Sequence, residues 1–118
     1  MYTIAKQFHF SAAHQLHGLT PGHPCARLHG HNYTVEVVLC SEKLDRHSFV
    51  VDYGELSALA DYIDRELDHR NLNDALSVPT TAENIARHLF YWCVKRWPQT
   101  VAVRVSETPK TYAEYRQP

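Results

Sequence analysis

Two histidines separated by a single residue, His29 and His31, are the strongest indication of chemistry in this sequence. They open the segment from Tyr33 to Leu39, whose alternating apolar residues are typical of a β-strand. Residues two apart on a strand point to the same face. The two imidazoles would therefore lie side by side and could bind one metal ion. Cys25 precedes His29 closely enough to be a third ligand, or a nucleophile beside the metal.

A catalytic zinc site usually takes three protein ligands and keeps one position open for water or substrate. His14 is the best third ligand, because it ends the apolar face of a first predicted strand. If the two strands form a hairpin, His14 lies beside His29 and His31. The alternative is that these histidines are surface or hydrogen-bonded residues. Most of the remaining histidines are expected to be solvated or hydrogen-bonded, namely His9, His17, His23, His47 and His88.

Acid–base chemistry is possible at three further places. A nearby cation would favour the thiolate form of Cys25. Asp68 could orient His69 as an acid–base catalyst near neutral pH, although a histidine at a helix end also interacts favourably with the helix dipole. Glu107 extends the apolar face of a late strand, where a carboxylate could accept two parallel hydrogen bonds from a purine or pterin edge. The alternative for Glu107 is a charge at the rim of the sheet.

Composition limits the class of protein. The chain has 118 residues, of which 44% are hydrophobic and 21% charged, and this predicts one domain over residues 1–118. A net charge of −1 offers no basic surface for nucleic acid or for an anionic membrane. No apolar run approaches the roughly 20 residues that span a bilayer, and no signal peptide is recognisable. Three cysteines without paired spacing favour the reducing cytoplasm.

The pattern of elements predicts an α+β fold in the order ββααββ, with a mainly antiparallel sheet. Helical spacing of apolar residues predicts two helices, and the second is expected to begin with a capping box of Thr80 and Glu83. The predicted strands are 2–14, 29–40 with an extension at 49–52, 101–106 and 111–116. The predicted helices are 54–67 and a segment that begins near residue 80 and ends before Pro98.

Six stretches occur in the order found in a known family. They are Phe10–His14, Cys25–Tyr33, Asp52–Leu56, Leu67–Asn73, Pro79–Asn84 and Glu107–Thr108. Together they resemble the family of 6-pyruvoyltetrahydropterin and 6-carboxytetrahydropterin synthases, over essentially the whole chain. The resemblance implies the tunnelling fold, a four-stranded antiparallel sheet with two helices on one face. In that fold the subunits join their sheets into barrels, commonly as a homohexamer with active sites between subunits.

The resemblance also implies a role for each candidate residue. The zinc ligands would be His14, His29 and His31. Cys25 would be the catalytic cysteine, and Asp68 with His69 the acid–base pair. Glu107 would anchor the pterin ring, with Thr80, Thr81 and Thr108 nearby.

The spacing from Cys25 to His29 resembles that of the bacterial, carboxy-forming branch of the family. This implies a zinc-dependent lyase that converts 7,8-dihydroneopterin triphosphate into 6-carboxy-5,6,7,8-tetrahydropterin, triphosphate and acetaldehyde, on the way to queuosine and other deazapurines. One alternative is a 6-pyruvoyltetrahydropterin synthase or a sepiapterin-processing enzyme with the same residues. Another is a non-catalytic zinc-binding or pterin-binding module.

Overall fold

The structure is a computed structural model that describes residues 1–118. Four strands and three α-helices form in the order ββαααββ. Their bounds are β1 Tyr2–His14, β2 His29–Ser41, α1 Ser57–Glu66, α2 Leu72–Ala75, α3 Ala82–Arg96, β3 Thr100–Ser106 and β4 Ala113–Arg116. Single 3₁₀ turns lie at Pro24–Ala26 and Tyr53–Leu56.

The strands form one antiparallel sheet in the order β1-β2-β3-β4. Strands β1 and β2 pair along their whole length, so that the pairing ends with His14 opposite His29. Strand β3 continues the sheet with Val105 opposite Val35, and its register shifts between Val38 and Leu39. The four-stranded antiparallel sheet with packed helices confirms the predicted fold class.

One face of the sheet is buried beneath the helices. Alternate residues of the strands, such as Phe10 and Val35, pack against the buried faces of α1 and α3. Burying such a side chain contributes roughly 1.5–3 kcal/mol, so the alternation decides which face receives the helices. The opposite face is polar and carries no helix. The three candidate ligand histidines share the strand parity of the buried residues and therefore lie on the covered face.

The predicted strand extension at 49–52 is wrong. Residues 49–52 are not in an extended strand, and none of them pairs with β1, β2, β3 or β4. The Asp45 carboxylate instead accepts hydrogen bonds from the amides of His47 and Phe49, at 2.8 and 3.0 Å. The segment is therefore a folded loop with no partner strand.

The helix boundaries also differ from the sequence expectation. Helix α3 begins at Ala82, and its cap is Thr81, whose hydroxyl accepts from the Asn84 amide at 3.3 Å. The capping box of Thr80 and Glu83 is therefore wrong, because Thr80 lies one residue too early and is buried. Helix α2 lies outside both predicted helices. No helix in the fold has the length and apolar character to cross a membrane.

Candidate active site

Three imidazoles meet where the β1–β2 hairpin ends. His14 and His29 are opposite each other in the register, and His31 lies opposite Ala12 on the same face. The Nε2 atoms of His14 and His29 are 3.0 Å apart, and the three candidate ligand atoms lie within 4.8 Å of one another. His14 is buried, whereas His29 and His31 are half-buried. The structure thus brings the three predicted ligands together.

Backbone carbonyls fix the orientation of two of these rings. Nδ1 of His14 lies 2.8 Å from the Thr80 carbonyl oxygen, and Nδ1 of His29 lies 2.7 Å from the Arg27 carbonyl oxygen. A carbonyl can only accept, so each Nδ1 carries a proton and Nε2 is the nitrogen left to bind a metal. The two Nε2 atoms face each other at 3.0 Å, a distance that requires a proton or a metal ion between them. This is the arrangement that prepares a histidine to bind a metal.

His31 supplies the third nitrogen. Its Nε2 is buried and has no hydrogen-bond partner, and the nearest Glu107 carboxylate oxygen is 3.7 Å away. Burial lowers the pKa of His31 despite the opposing charge of Glu107, which keeps the ring neutral and able to ligate. An unpaired buried nitrogen costs about 1–3 kcal/mol, and a bound cation would relieve that cost. The three residues could hold one divalent metal ion.

A cavity of about 710 Å³ adjoins this cluster. Asp68, Glu107 and Thr108 line it together with His31 and Tyr33. Glu107 follows β3 directly, so the β2–β3 register, continued by one residue, places it opposite Tyr33. Burial, and to a smaller extent the Glu107 charge, raises the pKa of the Tyr33 hydroxyl. The cavity therefore joins a carboxylate acceptor to the metal cluster.

Asp68 and His69 form a pair on the outer edge of β1, where the chain after α1 hydrogen-bonds to that strand. The Asp68 carboxylate accepts from the Ser11 amide at 2.9 Å and lies 2.9 Å from Nδ1 of His69. The His69 amide donates to the Ser11 carbonyl at 2.6 Å, and its φ of 57° turns the chain sharply at this point. The imidazole is 82% exposed and lines an adjoining cavity of about 540 Å³, which His31 also lines. The two side chains are close, as predicted.

The Ser11 amide, followed by the His69 hydrogen bond, lowers the pKa of Asp68. Because the pKa is lowered in the folded state, Asp68 stabilises the fold fully at pH values above the ordinary carboxyl pKa of 3.8. This stabilisation is lost as pH falls through the folded pKa.

We expect Asp68→Asn to be less stable than the wild type near neutral pH, and the difference in unfolding free energy between the two proteins to disappear in acid. Urea unfolding from about pH 7 to about pH 3 measures this gap. Asp64→Asn, at an exposed aspartate without hydrogen bonds, is the control; an equal gap at all pH values would contradict the expectation.

Cys25 lies on the 3₁₀ turn of the loop that joins the two ligand strands. It is half-buried, and its carbonyl accepts from the Leu16 amide at 2.9 Å. Its thiol belongs to neither the histidine cluster nor the cavity that contains Glu107. Within one subunit, the structure does not gather Cys25 with Asp68, His69 and Glu107. Thr81 lines a third cavity, of about 290 Å³, together with Glu107.

Some groups that orient the candidate site residues could not be predicted from the sequence patterns. The carbonyls of Arg27 and Thr80 and the amide of Ser11 are backbone groups, which any residue type supplies. Thr80 was expected near the substrate, but it is buried and its hydroxyl lies 3.2 Å from Nδ1 of His14. Only its position just before the α3 cap could have suggested this contact.

A profile of the family described as 6-pyruvoyl tetrahydropterin synthase matches residues 3–118. The chain belongs to this family. It is 36% identical over 127 residues to a Synechocystis protein named 6-carboxy-5,6,7,8-tetrahydropterin synthase, covering 100% of this chain and 95% of the relative. A Bacillus subtilis protein of the same name is 32% identical over 130 residues, covering 98% and 85%.

Solved structures of the 6-pyruvoyl tetrahydropterin synthase family have the same fold. The Caenorhabditis elegans 6-pyruvoyl tetrahydropterin synthase superposes with a TM-score of 0.87 at 28% identity, covering 99% of this chain and 96% of that one. The chain is therefore an enzyme, a lyase of the tetrahydropterin synthase type. The predicted family, fold and class of enzyme are confirmed.

Proposed function

We propose that this tetrahydropterin synthase is the zinc-dependent, carboxy-forming enzyme. It would convert 7,8-dihydroneopterin triphosphate and water into 6-carboxy-5,6,7,8-tetrahydropterin, acetaldehyde and triphosphate. The observation that carries the proposal is the cluster of His14, His29 and His31, two of whose Nε2 atoms face each other at 3.0 Å. The names of the Bacillus and Synechocystis relatives support the choice of product.

The proposed reaction balances without an external oxidant or reductant. Elimination of triphosphate and proton shifts oxidise the two hydroxyl-bearing side-chain carbons to carbonyls, while the dihydropterin ring gains two electrons and two protons. Water then adds to the carbonyl next to the ring, and the bond between the two carbonyl carbons breaks. One carbon stays on the ring as a carboxylate, and two leave as acetaldehyde.

Zinc is the proposed metal because three imidazoles with one open position are a common catalytic zinc site. When bound, it supplies Lewis-acid polarisation of the substrate's side-chain oxygens, which makes the adjacent C–H bonds more acidic. The Nδ1–H groups of His14 and His29 stay on their carbonyls and keep Nε2 free for the metal. Removal of the metal is expected to leave the fold intact and to abolish turnover.

The protons are proposed to move through Cys25 and His69. Asp68 accepts from Nδ1 of His69 at 2.9 Å, so Nε2 is the atom left to take or give a proton. Cys25 would act as the second proton-transfer group, as a thiolate. Glu107 would bind the ring by accepting from its amino and N–H groups, with Thr81 and Thr108 nearby, whereas the buried Thr80 would act by holding His14.

An oligomer is proposed to complete the active site. Strands β1 and β4 are the edges of the sheet. Near Ser11 and Ala13 the β1 edge is paired with residues 68–71, and a second subunit could satisfy the backbone groups that stay open along the rest of the two edges. Asp68 and His69 lie along the β1 edge, and His69 is largely exposed there. Joining edges would bring this pair towards the metal centre of a neighbouring subunit, in a homohexamer as the family resemblance implies. Cytoplasmic location and a place in queuosine biosynthesis stay predictions.

Glu107→Gln should weaken substrate binding. The amide keeps one acceptor oxygen but presents a donor to a ring edge that also donates, so one hydrogen bond is lost and one repulsion is gained. We expect KM to rise about ten-fold to a hundred-fold, with stability little changed because the side chain is 27% exposed. Steady-state kinetics measures this. Glu83→Gln, on the rim of the 290 Å³ cavity that Glu107 also lines, is the control; an unchanged KM in Glu107→Gln would remove the proposed ring anchor.

The proposal is tested by the mass of the product. The zinc-loaded protein is given 7,8-dihydroneopterin triphosphate labelled with ¹³C in all three side-chain carbons. A carboxy product keeps one labelled carbon, whereas a 6-pyruvoyl product, as formed by an enzyme like the C. elegans relative, keeps all three. Unchanged substrate that co-elutes with the protein would indicate the binding module.

A further inference from the structure

The loop between the two ligand strands, residues 15–28, is held by the side chains of Asn73 and Gln15. The backbone amide of Gln15 donates to Oδ1 of Asn73 at 2.8 Å, and Nδ2 of Asn73 donates back to the backbone carbonyl of Gln15 at 2.8 Å. The carboxamide of Asn73 thus supplies the two hydrogen bonds that a partner strand would give. It does so directly after His14, where β1 has no further partner in β2. These two hydrogen bonds, together with the one from the Gln15 side chain to the Cys25 turn, form what we call the Gln15–Asn73 clamp.

The side chain of Gln15 extends the clamp to the turn that carries Cys25. Its Nε2 donates to the Ala26 carbonyl at 2.7 Å. The next amide along the chain, that of Leu16, donates to the Cys25 carbonyl at 2.9 Å. Two successive carbonyls of the turn are therefore bound by the two residues that follow His14. The position of Cys25 depends on the end of the strand that holds a candidate metal ligand.

The other half of the clamp leads to the acid–base pair. The Asn73 amide donates to Oδ1 of Asn71 at 3.0 Å, and Asn71 forms a parallel bridge with Ala13 on the edge of β1. The same edge segment begins with Asp68 and His69. One half-buried network thus connects the Cys25 turn, the strand end at His14 and the Asp68 segment.

We propose that the Gln15–Asn73 clamp is a positioning device that sets the Cys25 turn against the three-histidine metal centre. Gln15 and Asn73 belong neither to the histidine cluster nor to the lining of the 710 Å³ cavity, so they would act through the backbone of the Cys25 turn. The consequence for turnover rests on the role proposed for Cys25. A displacement of about 1 Å at a reacting group can lower a rate about a hundred-fold. Loosening the Cys25 turn should therefore lower kcat more than it changes KM.

The test is Gln15→Met, which keeps the length of the side chain and removes its donor. We expect kcat to fall at least about ten-fold, with KM, zinc content and melting temperature close to the wild type. A second readout does not depend on turnover: the rate at which iodoacetamide modifies Cys25, resolved by peptide mass spectrometry with and without zinc. In the wild type zinc should change this rate, because a nearby cation favours the thiolate. In Gln15→Met that zinc dependence should be lost.

Matched controls separate positioning from general damage. Cys40, at the far end of β2, is an internal reference whose modification rate should be the same in all samples. Gln99→Met changes a half-buried glutamine whose side chain makes no hydrogen bond, and should behave as the wild type. Asn73→Asp keeps the acceptor but replaces the donor with a carboxylate oxygen, and should reproduce the loss; it also decides the matter if Gln15→Met fails to fold.

The positioning role of the clamp would be contradicted by a folded Gln15→Met or Asn73→Asp protein that keeps the wild-type kcat and also keeps the zinc dependence of Cys25 modification. If the wild type itself does not turn over the substrate, the proposed function fails. The modification experiment would still test the clamp in that case, because it needs only zinc and the thiol.

Discussion

Cys25→Ala is expected to lose turnover while it still binds zinc. Removal of a group that transfers protons in the reaction lowers rates by about a hundred-fold to ten-thousand-fold. The fold should persist, because Cys25 is half-buried on a surface turn whose contacts run through its backbone. The measurement is kcat with metal content determined on the same sample. Turnover near the wild-type rate would remove Cys25 from the mechanism.

The control for this variant is Cys40→Ala. Cys40 is also half-buried, but it lies at the other end of β2, where its sulfur contacts the Thr3 hydroxyl at 3.2 Å. The Cys40→Ala variant should retain the wild-type kcat. If Cys40→Ala were as inactive as Cys25→Ala, the loss would reflect damage to the strand pair and not a role in proton transfer.

His29→Ala is expected to remove the metal and, with it, turnover. Two histidines cannot supply the three nitrogens of the cluster, so zinc affinity should fall by at least about a hundred-fold. Isothermal titration of stripped protein with zinc measures the affinity. Melting temperature should rise on addition of zinc in the wild type and much less in the variant, because a ligand stabilises the state that binds it.

His9→Ala is the matched control for the metal site. His9 is also a strand histidine next to β2, but it lies on the uncovered face, where its Nδ1 is 3.2 Å from the Thr34 hydroxyl. It should bind zinc as the wild type does. Equal zinc affinity of His29→Ala and wild type would contradict a metal centre made of His14, His29 and His31.

Period-two alternation of apolar residues was enough to predict the strands and the shared face of the ligand histidines. It succeeded because burial of one sheet face allows only one register, and that register places His14 opposite His29. The extension at 49–52 was predicted wrongly because two adjacent valines look like a strand, while the side chain of Asp45 folds the backbone into a loop. Local capping by an aspartate is hard to distinguish from a polar connection by pattern alone.

The grouping of the three histidines was predictable from strand spacing, but the positions of the other candidate residues relative to one another were not. The sequence patterns could not show that Thr80 holds His14, since that contact depends on how the start of α3 packs against the sheet. They also could not show that Asp68 and His69 lie along the edge of β1, which requires the chain to return after α1. The separation of Cys25 from Glu107 within one subunit is likewise a property of tertiary structure.

The most direct test of the whole account is the amount of acetaldehyde released per substrate consumed. Protein stripped of metal is given 7,8-dihydroneopterin triphosphate, first without metal and then after zinc is restored. We expect no turnover before zinc is restored, and one acetaldehyde released for each substrate consumed afterwards. Turnover in the stripped protein, or substrate consumption without acetaldehyde, would contradict a zinc-dependent, carboxy-forming synthase.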